Sequence, residues 1–205
     1  MSNREDFINT WLCEMPENIG YMEMFDMYEY NIHDLKKHNA SITNIKDNLY
    51  KAGDRVINYW YEDNNDILLG MELRKESEGL VVTSVAKNPM YKGRPPFASD
   101  LYNEVLKDTK YHLRIISDEQ LSEEGFNIWA KLLQQGHKIS VYDRGSETPG
   151  QSLITIDSVE ELKKYHQEDD TDYRDIQYIL SENSYIAETR AYFNTRRLRE
   201  LAGTL

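Results

Sequence analysis

Few of the features that reveal a protein's chemistry directly are present in this chain. It has one cysteine, Cys13, among 205 residues. A lone thiol cannot close an internal disulfide, so the fold must rest on its core and a reducing compartment is expected. No window approaches the ~18 consecutive apolar residues that a spanning helix needs, so no membrane partner is expected. The opening MSNREDFINT mixes acid and base and lacks an apolar core, which argues against a secretory leader and for the cytoplasm. Positive charge is scarce, with 24 Lys and Arg against 36 Asp and Glu and a net charge of −12. Such a surface repels phosphate backbones at long range, so nonspecific nucleic-acid binding is not expected. Walker and dinucleotide glycine patterns, Cys/His zinc spacing, and Ser/His/Asp or Cys/His nucleophile arrangements are all missing. His33 and His38 stand five apart. Two imidazoles share a helix face at a spacing of three or four, so no metal is expected here.

The residues that are present indicate one ordinary domain with a real core: 40% are apolar and 29% charged. Fifteen tyrosines suit partner contacts as well as packing, so a protein partner or a second copy of the chain is a candidate. Charge is uneven. Glu168–Asp175 (EDDTDYRD) is an acidic run and Arg190–Arg199 (RAYFNTRRLR) a basic one, each also readable as an ordinary solvated loop or helix face.

Residues 4–13 predict a short amphipathic helix ended by Pro16. Tyr21–His38 predicts a helix with Met24, Met27, Tyr28, Ile32 and Leu35 as its apolar stripe, either core or the lining of an adaptable groove. Asn44–Asp54 reads as a connector. Val56–Tyr61, Ile67–Arg74 and Leu80–Ala86 read as three strands joined by short polar turns, an antiparallel meander. In the second, Ile67, Leu69, Met71 and Leu73 alternate with less apolar residues, which predicts one buried face. A Gly/Pro loop, Lys87–Pro96, leads to a helix capped near Ser99 or Asp100. Then come a strand at Tyr111–Ile116, a helix started at Ser117 or Ser122 and closed by Gly136, and a strand at Ile139–Tyr142. Gln151–Ile156 reads as another strand, and Ser158 and Glu161 form a capping box for a further helix. Asp175–Leu180 fits either a strand or a short helix. Tyr185–Leu201 predicts a closing helix with Tyr185, Ile186, Tyr192, Phe193 and Leu198 as apolar contacts.

The order strand, strand, strand, Gly-loop, helix, strand, helix, strand over Val56–Tyr142 resembles the GNAT superfamily of N-acetyltransferases. NPMYKGRPPFASDLYNEVL is similar to that family's strand–phosphate-loop–helix unit. LSEEGFNIWAKLLQQGHKISVYD is similar to its later helix–Gly–strand unit. These segments and the closing RLRELAG also resemble GNAT-like proteins of tailed bacteriophages. The resemblance implies an α+β fold: one GNAT-like domain with a mixed, mostly antiparallel sheet flanked by helices. Residues 1–54 would be a helical N-terminal part, 55–156 the central sheet and helices, and 157–205 a helical extension. It also implies acyl transfer. In that family the loop presents backbone N–H groups at a helix N-terminus to the pyrophosphate of acyl-coenzyme A. An amine then attacks the thioester, helped by a carboxylate base and often a tyrosine acid.

On that basis Lys87, Asn88, Lys92, Gly93, Arg94 and Ala98 are the candidate cofactor-binding residues, with acetyl- or another acyl-coenzyme A as ligand. Their alternative reading is a loop of turn-formers with exposed bases. Glu72 is the candidate base if it faces the cleft, and otherwise a solvent-facing carboxylate. Tyr142 is the candidate acid, or else a packed tyrosine. His112, beside Leu113, fits either a site or a surface. The loop departs from the usual Arg/Gln-x-x-Gly-x-Gly/Ala. With Gly93 as the central glycine, Met90 takes the first place and Pro95 the last. With Ala98 as the final small residue, Pro96 falls on the central glycine. Either register puts a residue without an N–H in the cradle. Two functions follow: an N-acyltransferase, or a non-catalytic GNAT-like phage protein acting through protein contacts, in a virion or on a host factor.

Overall fold

The computed structural model describes residues 21–38, 40–108, 114–118, 121–143, 153–166, 176–181 and 186–203. The expected helix at 4–13, Cys13, the whole acidic run 168–175 and His112 lie outside them. Among the described residues the fold is α+β, with a nine-stranded sheet and five α-helices. The strands are β1 (Ile42–Lys46), β2 (Leu49–Ala52), β3 (Val56–Asp63), β4 (Asp66–Lys75), β5 (Leu80–Lys87), β6 (Ile115–Ile116), β7 (Lys138–Asp143), β8 (Leu153–Ile156) and β9 (Ile176–Ser181). The helices are α1 (Tyr21–Lys37), α2 (Ala98–Asp108), α3 (Glu123–Gln134), α4 (Val159–Lys163) and α5 (Ile186–Leu201). The sheet order is β1-β2-β3-β4-β5-β6-β9-β7-β8. Every neighbouring pair is antiparallel except β5 and β6, which are parallel and joined through α2.

Local chemistry explains the elements. Asn64 and Asn65 both take positive φ, 50° and 71°, which is what a two-residue β3–β4 hairpin requires. The Ser122 hydroxyl accepts from the Gly125 N–H at the start of α3, and the Ser158 hydroxyl accepts from the Glu161 N–H at the start of α4. Gly136, at φ 88°, follows α3 as its C-terminal stop. α2 buries Leu101, Tyr102 and Val105, and α3 buries Phe126, Trp129 and Leu132, all against one face of the sheet.

The structure corrects several expectations. Residues 44–54 are not a connector: Ile42–Lys46 and Leu49–Ala52 pair as an edge hairpin. That segment is polar on its open side, with β1 almost wholly exposed, which hid it as a strand. The part beyond residue 157 is not only helical. β9 inserts between β6 and β7 in the middle of the sheet, so the chain's end completes its core. Within the expected strand at 111–116, the described strand is Ile115–Ile116. Leu198 on α5 is 57% exposed rather than an apolar contact, whereas Phe193 is fully buried. β4 is buried on both faces. Leu68 is an extra residue opposite β3, so Leu69 faces α2 and α3 while Ile67 joins the cluster under α1.

α1 closes that second face. Of its expected stripe Tyr28 and Ile32 are core, Leu35 packs against them, and Met24 and Met27 are half-buried outside the cluster, which Phe25 joins instead. These side chains pack with Trp60, Ile67, Ala52 and Ala86. The Tyr28 ring lies in the space left by Gly70: a Cβ there would stand 1.8 Å from Tyr28 Cε1 and 2.6 Å from its oxygen. The Tyr28 hydroxyl donates to the carbonyls of Tyr59 (2.9 Å) and Met71 (3.3 Å). At the far end of α1, Lys36 Nζ and Trp60 Nε1 both donate to Glu62 Oε2, at 2.6 and 2.9 Å. Burial works to raise the Glu62 carboxyl, but these two donors outweigh it and hold it below its usual range.

Gly70→Ala should displace the Tyr28 ring and cost about 3 kcal/mol, roughly 10 °C in Tm. Because one clash is responsible, adding it to Tyr28→Ala should cost little more than Tyr28→Ala alone, as read by thermal melts. Glu62 contributes stability above the ordinary carboxylate range, and loses it as pH falls through its lowered folded value. The Tm difference between the protein and Glu62→Gln should therefore shrink toward zero on acidification from pH 6 to pH 3.

Candidate functional site

The parallel pair at the centre of the sheet is brief. β5 and β6 meet only at Leu80 with Ile115 and Val81 with Ile116. From Val82 to Lys87, β5 has no paired strand on that side among the described residues. On its other side β5 stays paired with β4 as far as Lys87 with Leu69.

Polar side chains collect beside this stretch of β5. Trp60, Gly70 and Ala86 are successive cross-strand neighbours under α1, and two residues along each strand lie Asn58, Glu72 and Ser84. With a side-chain period of two, this second row shares the α1 face. Thr83 is an extra residue in β5 at this point. Its hydroxyl lies 2.8 Å from Glu72 Oε1 and 3.2 Å from the Glu72 carbonyl. Asn58 is 5% exposed, and its Oδ1 is one of five buried side-chain polar atoms without a hydrogen-bond partner among the described residues. Leaving such an acceptor unpaired costs about 1–3 kcal/mol. Burial, and then the negative charge of Glu72, push the Tyr28 hydroxyl well above its ordinary value. Glu72 is thus half-buried on the covered face, and not a freely solvated carboxylate. The row has two acceptors, Asn58 and Glu72, with two hydroxyls beside them. Together they suit a bound ammonium or amine.

Tyr142 lies elsewhere. It is buried on β7 against Phe193 of α5, with ring centroids 4.7 Å apart. Its hydroxyl donates to Glu200 Oε2 at 2.9 Å. Glu200 also receives Arg196 Nε at 2.9 Å and Arg197 Nη1 at 3.4 Å, and Arg196 stacks over the Tyr142 ring. Burial and the Glu200 carboxylate raise the Tyr142 hydroxyl, so it holds its proton tightly. This network docks α5 onto the sheet, with Tyr142 in the cluster of Val81, Ile116, Ile179 and Phe193.

Lys87, Asn88, Lys92, Gly93, Arg94 and Ala98 lie in and beside the loop that follows β5, and many of its donors are used within it. Asn88 caps the 3₁₀ turn Pro89–Tyr91: its Oδ1 accepts from the Met90 N–H and its Nδ2 donates to the Ile67 carbonyl. The N–H groups of Asn88, Tyr91, Lys92 and Arg94 donate to Leu68, Asn88, Pro89 and Tyr91 carbonyls. The Phe97 N–H donates to the Asp100 carboxylate, which takes the anion's place at the start of α2. Pro95 and Pro96 have no N–H. Lys87 Nζ donates to the Arg94 and Pro96 carbonyls. Burial lowers its pKa, with Asp100 opposing. Gly93, at φ 76°, is open on its side-chain side, and Lys92, Gly93 and Arg94 are exposed. The loop is therefore largely self-bonded, and the N–H groups with no bond among the described residues are those of Gly93, Ala98 and Ser99.

Asn58, Thr83 and Ser84 were not singled out from the sequence, and Tyr28 was read only as part of an apolar stripe. The available signal was the polar residues within two β-rich runs, Asn58 in VINYWY and Thr83 and Ser84 in LVVTSVA. Lys87→Met should free two loop carbonyls and raise amide exchange across residues 88–97 roughly tenfold, with little change elsewhere. Compared with known proteins, the chain matches no family model and shows no significant match to a curated protein.

Proposed function

We propose that the chain is a GNAT-like N-acyltransferase that moves an acyl group from a thioester of the acyl-coenzyme A class to an amine. The observation that carries this reading is the stretch of β5 from Val82 to Lys87, unpaired on its β6 side among the described residues and lying beside the polar row. A strand edge without a paired neighbour can take an extended, amide-bearing arm as an added strand. The reading gains support from the chain order, since the three-strand meander, the loop, α2, the parallel β6, α3 and β7 follow one another as the resemblance implies.

In this reading the amine sits between Asn58 Oδ1 and the Glu72 carboxylate, both acceptors. Glu72 takes one proton as the nitrogen attacks the thioester carbonyl. The N–C bond forms, the C–S bond breaks, and the thiolate leaves and is protonated. General-base help of this kind contributes about 10²–10⁴-fold. Tyr142, committed to Glu200, acts in packing.

The test follows free thiol released from acetyl-coenzyme A or S-acetyl-pantetheine in the presence of primary amines. Glu72→Gln should lower kcat at least 100-fold with little change in KM for the thioester. The absence of amine-dependent thiol release from either donor, with the protein folded, would contradict the reading.

A further inference from the structure

Glu72 is held in an uncommon way for a covered carboxylate. It is half-buried on the face under α1, and among the described residues no cation pairs with it. Its carboxylate has one side-chain donor there, the Thr83 hydroxyl, 2.8 Å from Oε1. Oε2 has no hydrogen-bond partner among the described residues. Burial penalises charge, so a covered carboxylate ordinarily gains an ion pair or several donors. Here one neutral hydroxyl engages one oxygen and leaves the other uncommitted.

The donor stands at an irregularity of the ladder. Ser84 is paired with Glu72 and Val82 with Leu73, so Thr83 is one residue too many for β4. The bulge sets Thr83 and Ser84 side by side against one residue of the neighbouring strand. From there the Thr83 hydroxyl reaches both the Glu72 carboxylate and, at 3.2 Å, the Glu72 carbonyl. The same residue thus ties the side chain of Glu72 to its backbone.

We propose that Thr83 is the positioning residue for Glu72: its hydroxyl fixes Oε1, so that Oε2 is the oxygen that takes the proton from the amine. The inference rests on the acyltransferase reading and deepens it by naming what aims the base. As the N–C bond forms, the proton leaves nitrogen for Oε2, the C–S bond breaks and the sulfur leaves as thiolate. Thr83 keeps its own proton throughout. Its task is to hold the carboxylate within reach of the nitrogen, where small misplacements are costly.

The experiment compares substitutions that separate the hydroxyl from the methyl, reading thiol released from S-acetyl-pantetheine with one primary amine. Thr83→Val keeps the shape and loses the hydroxyl. It should lower kcat about 10- to 100-fold and leave KM for the thioester within about twofold. Thr83→Ser keeps the hydroxyl and should stay within about threefold of the parent. On Glu72→Gln, adding Thr83→Val should change kcat by less than about twofold, because the group it acts through is gone. If Thr83→Val does not fold, Thr83→Ala against Thr83→Ser makes the same comparison. Parent-like kcat without the hydroxyl, equal losses with and without it, or the full loss repeated on Glu72→Gln would each overturn the assignment and leave the acyltransferase reading standing. If the parent releases no thiol with any amine, that reading fails and the assignment of Thr83 falls with it.

Discussion

The missing side chain at Gly70 governs how the sheet is covered. Any Cβ there would overlap the Tyr28 ring, whose hydroxyl reaches carbonyls of both β3 and β4 through the vacated space. This contact fixes α1 against the sheet at one point, and the Lys36–Glu62–Trp60 contact fixes it at a second. With α1 held there, the neighbouring row of Asn58, Glu72 and Ser84 becomes a half-covered polar strip between apolar packing and the β5 edge that has no paired strand among the described residues. α5 is held over the other end of the same face by Phe193 and by the Arg196–Glu200–Tyr142 contacts. The opposite face, under α2, α3 and α4, is continuous apolar core.

Much of this was legible in the sequence. The β3–β5 meander, the helix after the Gly/Pro loop and the helix opened at Ser122 rest on local chemistry: asparagines at positive φ, caps, and apolar spacing. What was not legible depends on partners distant in sequence. β9 is an interior strand only because β6 and β7 flank it, and its six residues, IQYILS, carry no sign of that position. The β1–β2 hairpin is an edge with little apolar content. The two-faced burial of β4 follows from one extra residue, Leu68, which shifts the alternation and is invisible without the register of β3.

The site was legible to a similar depth. Glu72 was identified as a base only if it faced a cleft, and it lies on the α1 face beside a buried Asn58 oxygen without a partner. The prolines of the loop remove two N–H groups from it, and several of the remaining ones bond within the loop, which needs the fold to be seen. Tyr142 could not be placed from its strand alone, because what engages it, Glu200, lies 58 residues later.

The central claim is that the β5 edge receives an extended acyl arm. Amide hydrogen exchange over Thr83–Lys87, with and without a non-hydrolysable S-alkyl pantetheine analogue, tests it most directly. The account predicts that amides in this stretch become at least tenfold better protected when the analogue binds, while those of β8 do not change. Binding of the analogue with no added protection anywhere in Thr83–Lys87 would contradict it.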